Sequence, residues 1–199
     1  MLLRFVLIMF FIFSVASPAF AGFDEGKKAY DSKDWPKALA ELKPLADKGD
    51  DKAMLLLGNI YSDGDGVPAD YKKALEFYEH SAEKNNPIAM LAAAAMYANG
   101  IGAEKNTDKA NRWFRTAAET GDQTGAFFYA QSFINDNPNP DFYSSYKWFL
   151  IASQRGENKQ LQEAAKDLAE RIARARLTST EMLKAGKEAK EWQPPAKKS

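Results

Sequence analysis

Apolar residues along this chain fall three and four apart, the spacing of one helix face. Within residues 53–88, Ala53, Leu57, Gly58 and Tyr61 share one such face, and Ala74, Phe77, Tyr78, Ser81 and Ala82 share another. The pattern predicts two helices. Gly64 and Gly66 stand between them and predict a left-handed turn, which glycine enters without steric cost. Asp70 is a predicted N-cap for the second helix. Asn85 and Asn86 close it, and Pro87 fits the first turn of the next helix, where a missing N–H is no loss. Ala53, Gly58, Ala74 and Ala82 are small enough to let the two helices approach, with Tyr61, Phe77 and Tyr78 filling the space between.

The whole pattern returns 36 positions later, from 58 to 94. Gly58, Tyr61, Gly64, Gly66, Lys73, Ala74, Phe77 and Ala82 have counterparts in Ala94, Tyr97, Gly100, Gly102, Lys109, Ala110, Trp113 and Ala118. A third copy follows at Ala130, Phe133, Trp148, Phe149, Ala152 and Gly156. A fixed period of this length predicts an all-α stack of helical hairpins, each completing its core against its neighbours. The units are residues 53–88, 89–124 and 125–159. An incomplete leading repeat over 22–52 holds a helix from Phe23 to about Asp31. Its second helix runs from Asp34 to Asp47, with Asp34 as cap, Pro36 in the first turn and Gly49 in the place of Asn85. In the third loop, Asp136-Asn137-Pro138-Asn139-Pro140 replaces the glycines, and Asn or Asp is expected to take over the left-handed turn.

After Gly156 the pattern changes. Leu161, Ala165, Leu168, Ile172 and Ala175 form one apolar stripe on a longer helix. Thr178 and Glu181 read as a capping box for a final helix ending near Trp192. Residues 160–192 thus supply the capping helices that an open solenoid needs. Residues 193–199 are polar and broken by proline, and are expected to be a disordered tail.

The motif Ala53-x3-Leu57-Gly58-x2-Tyr61-x2-Gly64-x-Gly66-Val67-x2-Asp70-x2-Lys73-Ala74-x2-Phe77-Tyr78-x2-Ser81-Ala82 resembles the Sel1-like repeat, a relative of the tetratricopeptide repeat. Repeat two matches through Tyr97, Gly100, Gly102, Lys109, Ala110, Trp113, Phe114, Ala117, Ala118 and Gly121. Repeat three departs at the glycine loop and at Ser144-Ser145, where the others have Lys-Ala. The resemblance spans about residues 24 to 192. It implies a right-handed α-α superhelix that mediates protein–protein interaction or complex assembly. Exported bacterial members of the family are linked to envelope complexes, host contact and immunity to secreted toxins. A cysteine-rich branch is associated with β-lactam hydrolysis.

Export is also legible at the start of the chain. Arg4 precedes an unbroken apolar run from Phe5 to Phe13, and Ala19-Phe20-Ala21 places small residues where a signal peptidase reads. The expectation is a signal peptide over 1–21, cut after Ala21, and a periplasmic or secreted product without stable membrane insertion. The run is shorter than the roughly 20 apolar residues of a membrane span. The sequence has no cysteine, which excludes disulfides and thiol chemistry and separates it from the β-lactam branch. With 27 Lys plus Arg against 27 Asp plus Glu, it has no basic excess for nucleic acid.

Candidate chemistry is sparse. His80 is the sole histidine and has neither base partner nor nucleophile nearby in the sequence. Asp63-Gly64-Asp65-Gly66 fails as a calcium loop, because the twelfth position is Ala74 and not a glutamate. Gly100-Ile101-Gly102 follows no strand and is a turn rather than a phosphate cradle. Ser144, Ser145 and Ser153 lack the context of an activated nucleophile. Arg171, Arg174 and Arg176 read as a solvated helix face. No metal, cofactor or catalytic residue is therefore assigned.

The informative departure is Ile88 to Ala98, which is apolar throughout. Either neighbouring repeats bury both sides of this helix, or one side faces a partner. In similar repeats the corresponding first-helix positions line a concave wall and are commonly polar. The candidate partner-binding strip comprises Met54, Leu56, Met90, Ala92, Ala95 and Phe128, with Asn59 and Gln131 at its edge. The functional expectation is an exported, non-enzymatic scaffold or adaptor for a protein partner. The alternatives are an immunity protein that masks a secreted toxin and a hydrolase of β-lactams or cell-wall amides.

Overall fold

The computed structural model describes residues 22–135 and 137–195. The expected signal peptide, Asp136 and the end of the tail lie outside the described residues. Among those described there are ten α-helices and no strand: α1 Phe23–Asp31, α2 Trp35–Ala46, α3 Asp51–Asp63, α4 Tyr71–Glu83, α5 Pro87–Asn99, α6 Thr107–Glu119, α7 Gln123–Ser132, α8 Phe142–Gln154, α9 Lys159–Arg176 and α10 Ser179–Glu191. Each of the first eight packs on the next, and first helices of successive hairpins also touch at α1–α3, α5–α7 and α7–α9. The result is an α-α solenoid. No described helix is long and apolar enough to cross a membrane.

The caps obey the sequence period. Asp50, Asn86 and Asp122 cap the first helices 36 residues apart, each side chain accepting a main-chain N–H of the first turn. Asp34, Asp70 and Asn106 cap second helices in the same way, and Asp141 serves α8. Each such cap is worth about 1 kcal/mol. Left-handed residues recur on the same ruler: Gly49, Asn85 and Gly121 between hairpins, Gly64 with Gly100 and Gly66 with Gly102 inside them. Gly66 has a second reason to lack a side chain, because a Cβ there would strike Trp35 at the start of α2. Gly102 meets the Tyr71 carbonyl of α4 in the same way. These loops therefore dock each hairpin onto the one before it.

The third loop lacks glycine and is braced by side chains. None of its described residues is left-handed. The Asn137 amide donates to the Phe133 carbonyl at 3.1 Å, and Asn137 Oδ1 accepts from Asn139 N at 2.9 Å. These side-chain hydrogen bonds tie Asn137 to both sides of the loop. Asp141 N still reaches Phe133 O at 3.0 Å, as Asp70 N reaches Tyr61 O in the first loop. The link between α1 and α2 is only Ser32–Asp34, and Lys33 takes the left-handed turn there at φ 60°.

The C-terminal cap packs back onto the third hairpin. Thr178 and Glu181 form the expected capping box. Helix α10 lies on α8, where Tyr143 donates to Glu188 at 2.8 Å and Lys147 pairs with Glu188 at 3.2 Å. Trp192 packs edge-on against Trp148 at 5.3 Å, and Arg155 lies 4.7 Å over its ring. The tail beyond it is not wholly free. Pro194 is half-buried, and a Cβ at Gly121 would sit 3.4 Å from its ring.

Candidate protein-binding wall

The repeat period places side chains of α3, α5 and α7 in columns. Positions 56, 92 and 128 hold Leu, Ala and Phe; positions 59, 95 and 131 hold Asn, Ala and Gln. Ala95 and Phe128 are exposed, and the other four are half-buried. No charged group stands in either column. The small residues lie on the middle helix, so the wall dips between Asn59 on one side and Phe128 with Gln131 on the other.

Two of these side chains are held in place. The Asn59 amide donates to the Tyr30 hydroxyl at 3.3 Å and accepts from the Tyr78 hydroxyl at 2.8 Å. Burial pushes the Tyr78 hydroxyl up to about 12, so it remains a neutral donor across the physiological range. Phe128 stacks on Phe114 at 5.0 Å and meets Phe127 edge-on at 5.7 Å. With 39% of its surface exposed, it presents the other side of the ring to solvent. Held aromatic rings of this kind lose little entropy when a partner covers them.

Met90 does not belong to the wall. It is fully buried at 0% exposure, in a cluster with Ala82, Ala89 and Ala117. Position 90 points between the hairpins, where methionine fills a gap that alanines leave. Met54 is half-buried against the N-terminal core and gives the wall little surface. Both sides of α5 are largely buried by its neighbours: Ala89, Met90, Ala93, Ala94, Met96 and Tyr97 all lie in the core. The sequence reading missed Ile88, which is 62% exposed. Its counterparts at 52 and 124 are Lys and Thr, and those polar types at the same register mark position 88 as outward-facing.

The candidate chemical groups are engaged or isolated. Ser145 donates to the Ala130 carbonyl at 2.9 Å and Ser153 to the Leu150 carbonyl at 2.8 Å. His80 is exposed. Gly64 and Gly66 both sit in left-handed turn geometry. No group of three or more acidic or histidine side chains that could hold a metal ion occurs among the described residues.

The Sel1 repeat family model matches residues 51–86 and 87–122. Those bounds have the length read from the sequence and begin two residues earlier, just after the caps Asp50 and Asn86. A protective antigen of uropathogenic Escherichia coli strains, displaying an SLR fold, is similar in structure with a TM-score of 0.69 at 23% identity. The match covers 84% of this chain but 37% of that protein, so the chain spans little more than a third of its length. A Sel1 repeat protein from Oxalobacter formigenes gives a TM-score of 0.63 at 19% identity, with 83% of each chain covered. No curated protein matches in sequence. Residues 51–122 thus carry two Sel1 repeats, and a third hairpin stacks in the same way in a solenoid whose fold is shared with solved Sel1 and SLR repeat proteins.

Proposed function

We propose that the chain is an exported adaptor that holds a protein partner against the wall formed by α3, α5 and α7. Sel1 repeats typically serve as protein–protein interaction scaffolds, generally without catalysis of their own. The observation that carries the specific reading is the uncharged, largely apolar surface of Leu56, Ala92, Ala95 and Phe128, extended by Ile88. A partner gains affinity there by covering apolar area, with Asn59 and Gln131 supplying polar contacts at the edge. Depletion of charge at the centre of a contact surface is typical of protein interfaces. The leader read in residues 1–21 of the sequence supports a periplasmic or secreted site for this activity.

The test compares three variants. Ile88→Glu and Phe128→Glu alter exposed groups and keep the helical circular-dichroism spectrum, but lose a partner captured from periplasm by the unaltered protein. Met90→Glu buries a charge and loses the spectrum itself. Retained capture by both surface variants would remove the wall from the account. Mass spectrometry of the exported product checks the leader: a first residue of Gly22 supports it, and an intact Met1 refutes it.

A further inference from the structure

The opposite, second-helix side of the solenoid carries a separate cleft. It lies between α4 and α6, has a volume of about 320 Å³, and is lined by Glu79, Lys109, Arg112, Trp113 and Thr116. Lys109 Nζ sits 4.5 Å over the Tyr97 ring and donates to its hydroxyl at 2.9 Å. That hydroxyl donates in turn to Glu79 at 2.7 Å. The ammonium is thus positioned by a chain of hydrogen bonds and keeps further N–H groups for a ligand. Its bond to the Tyr97 hydroxyl holds Lys109 above the ordinary lysine value, so it is charged at neutral pH. Thr116 turns its hydroxyl to the Arg112 carbonyl at 2.9 Å and closes one rim.

Arg112 is the unexplained member. It is exposed, three residues from Lys109 on one face of α6, and makes no ion pair among the described residues. Like charges at this spacing repel. One repeat earlier, the positions matching Lys109, Arg112 and Trp113 hold Lys73, Glu76 and Phe77, so that register balances its own charge. The α4–α6 cleft does not: two cations face the single carboxylate of Glu79, beside the half-buried indole of Trp113.

We propose that this cleft binds an organic carboxylate, with the anion on Lys109 and Arg112 and its apolar body against Trp113. An arginine fork matches a carboxylate in a bidentate pair. The surplus of one positive charge suits a monoanion, whereas a phosphate dianion would set its second charge against Glu79. A volume near the lower end of ligand pockets fits one residue-sized group. Such a carboxylate is the free C-terminus of a polypeptide or an acylated amino acid. This site is independent of the inner wall.

The experiment follows the Trp113 indole N–H by NMR, assigned with Trp113→Phe, during titration with N-acetyl-phenylalanine, its amide and inorganic phosphate. The acid is expected to saturate with a Kd of about 1 mM and the amide to bind at least tenfold more weakly. Arg112→Gln, an exposed change, weakens the acid at least fivefold and leaves the helical spectrum unchanged. A pentapeptide ending in phenylalanine is the second arm. Binding at least as tight as the free acid assigns a polypeptide terminus, and weaker binding assigns a small acid; either result supports the carboxylate site. No saturable shift with the acid, an equal shift with the amide, tighter binding of phosphate, or no effect of Arg112→Gln overturns it.

Discussion

Gly58→Ala sets helix propensity against packing and gives the sharpest test of how the hairpins close. Gly58 lies inside α3, where alanine is favoured over glycine by about 1 kcal/mol. Propensity alone therefore predicts stabilisation. The structure predicts the opposite. A Cβ at 58 would lie 2.5 Å from Cε1 and 2.7 Å from Cδ1 of Tyr78. Carbon atoms in good contact stand about 3.5–4.0 Å apart, so the ring must retreat by about 1 Å. Tyr78 is buried and tied to Asn59 through its hydroxyl. Its displacement strains a packed core by about 1–3 kcal/mol and weakens a hydrogen bond worth about 1 kcal/mol. The balance is a net loss of about 1–3 kcal/mol after the helix gain is subtracted. Repeat two is a natural control: Ala94 occupies the matching position, and Phe114, the counterpart of Tyr78, is turned to stack on Phe128. Ala94→Gly should then cost about 2 kcal/mol, the propensity term plus the loss of a fully buried methyl. Urea unfolding followed by circular dichroism measures both. A Gly58→Ala variant that unfolds at higher urea than the parent would refute the packing argument.

Other expectations follow from single sites. Asn85 is left-handed at φ 67°, so Asn85→Ala should lower stability by about 1 kcal/mol in the same urea assay, while Asn85→Gly costs nothing or gains. Trp192→Ala removes the contacts with Trp148 and Arg155 and should destabilise by about 2 kcal/mol, less than a fully buried tryptophan; an unchanged thermal midpoint would show that the cap does not support repeat three. Tyr78 titrates at about 12 in the folded protein and at 10.0 unfolded, so the folded state holds its proton more tightly. Its contribution is complete below pH 10 and is lost as pH rises from 10 to about 12. Tyr78→Phe should flatten this alkaline loss in urea midpoints measured across that window, and an identical slope in the variant would contradict it.

The repeat was legible because one physical problem is solved the same way in each copy. Each helix start needs a polar acceptor, hence Asp50, Asn86 and Asp122; each tight turn needs a positive φ, hence Gly64 and Gly100. The wall was only partly legible. Helix α5 is apolar all round because hairpins pack on both of its sides, and periodicity cannot say which apolar residue is left over. Met90 and Ile88 are two residues apart and differ only in direction, and the column comparison with Lys52 and Thr124 is what distinguishes them. The α4–α6 cleft was invisible for another reason. Glu79 and Lys109 are 30 positions apart, and only stacking brings them to the same Tyr97 hydroxyl. In the third loop, the Asn137 side-chain bonds to Phe133 and Asn139 were not legible, because composition does not reveal which atoms a side chain reaches.

The claim that the α3–α5–α7 wall holds a protein is tested most directly by site-specific photo-crosslinking in the cell. Benzoylphenylalanine at Ala95, on the wall, should give one discrete crosslinked product that disappears when Phe128→Glu is added. The same probe at His80, exposed on α4, should not give that product. No product from Ala95, or the same product from both positions, would contradict the account.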